Sequence, residues 1–139
     1  MIRPLYGADR EVAQWIMDRL GGGGLDGCRA IGVLDDDTLI AGVAFFNFRH
    51  GSMEISVAAE SRGWMTRRIL RELWRYPFAQ CGCEHVTACI PKHRRKTRRM
   101  AERLGFTLEG VQKRAFDGSD LCLYGLLRED SKVMRNEKP

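Results

Sequence analysis

The chain has 139 residues, 44% hydrophobic and 29% charged, with a formal net charge of +5 at neutral pH. That length suits one domain around one core, because a second core would have too little apolar surface to bury, so residues 1–139 are read as a single domain. The composition excludes a disordered chain. The longest apolar run, residues 39–48, is about half of the ~20 residues a membrane helix needs, and no charged-then-apolar leader precedes it, so a soluble cytoplasmic protein with no membrane partner is expected.

In chain order, residues 2–6 are a short strand candidate. Asp9 is the expected N-cap of a helix to Leu20, with Val12, Ala13, Ile16, Met17 and Leu20 on one face. Four glycines at 21–24 end it as a flexible connector. From Cys28 the period changes. Residues 29–34, 39–48 and 53–59 alternate as three strands, broken at Asp35-Asp36-Asp37 and at His50-Gly51-Ser52, which predicts an antiparallel meander. Residues 66–76 predict a helix with a stripe of Ile69, Leu70, Leu73 and Trp74, stopped by Pro77. A strand at 85–90, a helix at 97–104 and a C-capping Gly105 follow. Segments 106–116 and 121–127 then flank the turn Asp117-Gly118-Ser119. The charged tail from Arg128 is expected to fray.

Five cysteines, an odd number lying mostly in predicted strands, read as reduced thiols rather than a disulfide framework. Cys81, Cys83 and His85 lack the paired spacing of a zinc site, and no metal is expected. The net charge suits polyanions, either a nucleic acid or a cofactor with several phosphates, and the basic run Lys92, Arg94, Arg95, Lys96, Arg98, Arg99 and Arg103 reads as a charged solvent face or as a nucleic-acid footprint.

The predicted order is strand, helix, three strands, helix, strand, helix and hairpin, an α+β (mixed α/β) arrangement in three layers around one sheet, with a right-handed parallel crossover in the middle. Two strings in the C-terminal half stand out. Arg103-Leu104-Gly105-Phe106-Thr107-Leu108-Glu109-Gly110 is followed by Asp117-Gly118-Ser119-Asp120 and Leu123-Tyr124-Gly125-Leu126. In that order and spacing the chain resembles the GCN5-related N-acetyltransferase (GNAT) superfamily, within it the RimJ/RimL-like branch that acetylates protein N-termini.

The resemblance implies a central, mostly antiparallel twisted sheet whose fourth and fifth strands are parallel and splay apart around acetyl-CoA as co-substrate. It places the cofactor loop at Arg62, Gly63, Trp64, Met65, Thr66 and Arg67, where Met65 and Arg67 stand in place of the family's two glycines. Anion binding at a helix N-terminus uses backbone N–H groups and dipole, so it survives that change if the side chains point away, and Arg67 and Arg68 add charge. Arg94 stands where the family commonly has a cofactor-contacting asparagine. The backbone of Val57 and Ala58 is assigned to the pantetheine arm and the thioester.

For catalysis, the family's tyrosine acid corresponds to Ala101, so Thr97 is the candidate hydroxyl at the thioester. The acidic residues of the fourth strand, Glu54 and Glu60, are the candidate bases, while Glu109 is assigned a structural role. The connector at 21–27 is too short to enclose an acceptor. This favours a protein or peptide amine, with a homodimer partner as another means of closing the cleft. Two alternatives follow from the same residues: transfer to aminoacyl-tRNA or a nucleic-acid amine through the run at 92–103, or a degenerate fold acting as a binding module.

Overall fold

The computed structural model describes residues 1–61 and 63–134. Seven strands, β1 Ile2–Leu5, β2 Arg29–Asp35, β3 Thr38–Arg49, β4 Ser52–Ala59, β5 His85–Pro91, β6 Thr107–Phe116 and β7 Ser119–Leu127, form one sheet in the order β1-β2-β3-β4-β5-β7-β6. The β4–β5 pair is parallel and the others are antiparallel. The helices are α1 Asp9–Leu20, α2 Arg67–Arg75 and α3 Arg95–Arg103.

Strand alternation divides the sheet into two faces. On one, Ile31, Val33, Val43, Phe45, Met53, Ile55, Val86 and Tyr124 join α2 and α3 through Ile69, Leu73, Trp74 and Ala101. On the other, α1 lies across β2, β3 and β4 through Val12, Ala13 and Ile16. Beyond α1, the side chains that β5 turns to that face, His85, Thr87 and Cys89, are only half-buried. The contacts of α1 on this face run to β2, β3 and β4.

Three local readings need correction. The N-cap of α1 is Ala8, not Asp9; Asp9 instead accepts the Ala30 N–H at 2.9 Å and ties α1 to β2. Pro77 does not stop the chain's winding. Residues Tyr76–Gln80 add a π-helical turn closed by Cys81 N–H to Tyr76 O at 2.9 Å, because a proline in a first turn has no N–H that needs a partner. The charged tail does not fray as far as it is described. Arg128 donates to Phe78 O at 2.8 Å, and Ser131 and Met134 are buried.

The five cysteines are unpaired thiols, and among the described residues no cluster of His, Cys, Asp or Glu could hold a metal. No described helix is long and apolar enough to cross a membrane.

Candidate active site

The parallel register runs only from Ser52 opposite His85 to Ile55 opposite Ala88. Past that level β4 stays bonded to β3 through Ala59, and β5 stays bonded to β7 through Pro91. Each strand keeps its outer partner, so a gap opens between residues 56–59 and 89–91. Successive strand residues turn their N–H and C=O to opposite edges. One of Val57 and Ala58 therefore presents its backbone to the gap, where an extended ligand can add hydrogen bonds without any particular side chain.

Both α2 and α3 begin at the mouth of this gap, because each follows one of the two parting strands. Thr66 caps α2, its hydroxyl accepting Ile69 N–H at 3.1 Å. Trp64 is buried and Met65 packs against the same core. These side chains turn inward and do not block the helix end. The N–H groups of Arg67 and Arg68 have no intrahelical acceptor, and neither helix carries an acidic residue in its first turn, so both dipoles present uncompensated positive ends.

Gly63 is exposed with open space around it, Arg68 is exposed, and Arg67 reaches Lys132 O at 3.3 Å. Arg94 is the N-cap of α3, with its side chain exposed and making no capping bond. Thr97, also exposed, lies in the first turn of α3. Arg62 lies outside the described residues.

The two candidate bases are held differently. Glu54 lies one level before the strands part, on the half-open face. It accepts Asn47 Nδ2–H at 3.3 Å and the Cys89 thiol at 3.6 Å. Burial, reinforced by the Glu54 charge, pushes the Cys89 thiol up to about 12, so Cys89 stays protonated and donates to the carboxylate. Glu60 is bound to Arg19, whose Nε donates at 2.8 Å and whose guanidinium stacks 3.6 Å over Trp15. Glu60 falls just past the end of β4 rather than in the strand, so that ion pair ties the segment after β4 to α1 and occupies the Glu60 carboxylate.

A polar relay that the sequence pattern did not bring together crosses the same face at the closed end of the gap. Ser52 Oγ lies 2.9 Å from His85 Nδ1, within hydrogen-bond distance, and His85 Nε2–H donates to the Glu109 carboxylate at 2.9 Å. Thr87 Oγ1 lies 3.5 Å from the same Nδ1. Matching parity of Ser52 with Glu54, and of His85 with Thr87, carries part of this signal. The parallel register and the bulge that frees Glu109 from the β6 ladder are invisible in sequence.

Two cavities differ in their relation to the gap. One of about 160 Å³ lies between the end of α1, the glycine connector, Phe46 and Ser56, on the face that holds Glu54. A larger cleft, about 390 Å³, is lined by Tyr6, Asp9, Arg29, Glu72, Arg75 and Tyr76. It sits where β2 begins and α2 ends, at the far end of the sheet from the mouth of the gap, so its size does not make it the active site.

A seven-stranded sheet with one parallel pair that parts around a ligand-accepting gap, flanked by helices that begin at its mouth, is the fold of the GNAT acetyltransferases. Solved structures with this fold include spermidine/spermine N-acetyltransferase SpeG from Vibrio cholerae, with a TM-score of 0.77 at 14% identity over 99% of this chain and 100% of that one. A dodecameric form of that enzyme matches with a TM-score of 0.75 at 16% identity, covering 99% and 98%. A GNAT acetyltransferase from Streptococcus pneumoniae gives 0.70 at 13% identity, covering 91% and 99%. No protein-family model and no curated protein sequence matches the chain.

Proposed function

We propose that this protein is an acetyl-CoA-dependent N-acetyltransferase that acts on a primary amine. The observation that carries the proposal is the gap between β4 and β5 with two positive helix ends at its mouth, neither offset by an acidic first turn. A thioester's extended arm fits between the strands on the backbone of Val57 or Ala58. Its diphosphate fits the N–H groups of Arg67 and Arg68, with Arg94 at the neighbouring helix start.

In the reaction the amine nitrogen bonds to the acetyl carbon, the carbon–sulfur bond breaks, the amine loses a proton and the departing thiolate gains one. Glu54 is the base, held by Asn47 and Cys89 beside the point where the strands part. Thr97 is the hydroxyl toward the sulfur. Holding both reactants in line supplies much of the acceleration, up to ~7–11 kcal/mol in well-oriented systems.

The acceptor reaches Glu54 across the half-sheet that α1 leaves bare. An open surface of this kind suits an amine presented by a protein or peptide in the cytoplasm, as in the RimJ/RimL-like branch. SpeG is a spermidine/spermine N-acetyltransferase. A spermidine acceptor is therefore the control. Mass spectrometry of a cell lysate incubated with the protein and isotopically labelled acetyl-CoA should show label on protein or peptide amines. Label on free polyamines alone would replace the acceptor class, and no binding of acetyl-CoA by calorimetry at high micromolar concentration would end the transferase reading.

A further inference from the structure

The basic run divides into two parts when it is wound onto α3. Arg94 and the first-turn N–H groups face the mouth of the gap. Arg98 is engaged inside the fold, its Nε donating to the buried Tyr124 hydroxyl at 3.1 Å and its Nη1 to Lys92 O at 3.1 Å. At 100° per residue, Arg95, Arg99, Arg103 and Lys96 fall within one sector about 100° wide, roughly opposite the buried Ala101. All four are exposed, and none forms an ion pair with a carboxylate among the described residues. The stripe extends along the helix for about 12 Å, with about 6 Å between successive turns of charge.

On the proposed function this charge is surplus to the cofactor, because the ends of α2 and α3, with Arg67, Arg68 and Arg94, would serve the phosphates of one nucleotide. The stripe also lacks what a protein interface uses: its exposed positions hold no aromatic or aliphatic anchor, and desolvated apolar anchors carry most protein–protein affinity. Single-stranded nucleic acid is held by stacking on aromatic rings, and the stripe offers none. An A-form RNA duplex has a deep, narrow major groove that does not suit an entering helix face. What remains is a row of guanidinium and ammonium groups on an exposed helix, of a width that a B-form major groove admits.

We propose that the outer face of α3, through Arg95, Lys96, Arg99 and Arg103, docks duplex DNA by its phosphates without reading sequence. This surface lies on the cofactor side of the sheet, away from the acceptor face. That the charge is surplus rests on the proposed function, whereas the exposure and spacing of the stripe do not.

Fluorescence anisotropy with the full chain and a labelled duplex of ~24 base pairs tests it, from about 50 to 200 mM salt. Wild type should bind at micromolar concentration at the low end, with a slope of log affinity against log salt of about −0.9 per phosphate contacted. The Arg99→Glu/Arg103→Glu variant should bind at least about tenfold more weakly and with a shallower slope. Arg10→Glu/Arg49→Glu, exposed cations on α1 and β3, makes the same change in net charge and should retain more of the affinity. Circular dichroism confirms folding, and Arg99→Gln/Arg103→Gln replaces the first variant if reversal unfolds it. Any of three results would overturn the proposal: no binding by wild type at about 50 mM salt, equal losses in the two charge reversals, or tighter binding of duplex RNA or anionic vesicles than of duplex DNA.

Discussion

His85 donates to Glu109 across β7, and it reaches that carboxylate because Gly125 places no side chain between them. A Cβ built at Gly125 would lie 2.2 Å from the Glu109 carboxyl group. Glu109 sits at the irregularity in the β6 ladder between Leu108 and Gly110, so its side chain can lie over the neighbouring strand. The relay from Ser52 to Glu109 therefore links β4, β5 and β6 over the glycine of β7.

Gly125→Ala should displace Glu109 and cost about 1–3 kcal/mol, the range for overpacking and for an orphaned polar group. Glu109→Ala alone should cost less, because the carboxylate is half-exposed. In the Gly125→Ala/Glu109→Ala double mutant the clash is gone, so thermal or urea unfolding should show a loss smaller than the sum of the single losses. Additive losses would mean that the steric relationship is not what requires the glycine.

Glu54→Gln should lower turnover by at least about tenfold, the low end of general-base effects, with little change in acetyl-CoA affinity. Glu60→Gln should leave turnover near wild type and lower the melting temperature, because its partner Arg19 anchors α1. Steady-state kinetics of the two variants with one amine would separate these roles, and equal turnover losses would contradict the assignment. Thr97→Ala is expected to reduce turnover while calorimetric affinity for acetyl-CoA stays within about twofold; unchanged turnover would remove Thr97 from the mechanism.

The layered fold, the meander, the parallel crossover and the two strings around Gly105 and Gly125 were readable in the sequence because hydrophobic period and turn chemistry are local signals. Trp64 and Met65 show the limit of that reading. Their identities depart from the glycine-rich family loop, and only the packed core shows that Trp64 turns inward and leaves the end of α2 free. Glu54 and Glu60 were equivalent in sequence, whereas tertiary contacts with Asn47, Cys89 and Arg19 distinguish them. The Ser52–His85–Glu109 relay depends on a parallel register and a bulge, neither of which leaves a short-range trace.

Thr66→Ala removes the side-chain cap on Ile69 N–H and should cost about 1 kcal/mol of stability. It should also weaken acetyl-CoA binding several-fold by loosening the first turn of α2. Thr66→Ser keeps the acceptor oxygen and should restore both. Chemical denaturation and calorimetry on the two variants would check this, and a serine variant as weak as alanine would contradict it.

Burial pushes the Cys83 thiol up to about 11, from an ordinary 9.0, and burial with the Glu54 charge pushes Cys89 up to about 12. The unfolded chain releases these protons near pH 9 while the folded chain retains them. Stability from these two sites is therefore complete below about pH 9 and falls as pH rises toward the folded values. Melting temperatures measured from pH 7 to 11 should decline at the alkaline end. Cys89→Ala should make that decline shallower, and an unchanged slope would remove Cys89 as a contributor.

The unzipped stretch of the sheet has two open sides, with α2 and α3 starting at one and the bare flank beside α1 forming the other. On the proposed function, nucleotide and amine would have separate doorways, and neither would have to depart before the other arrives. Initial-rate plots at several fixed amine concentrations should consequently intersect rather than run parallel, the signature of one ternary complex instead of an acetylated enzyme waiting for its second visitor.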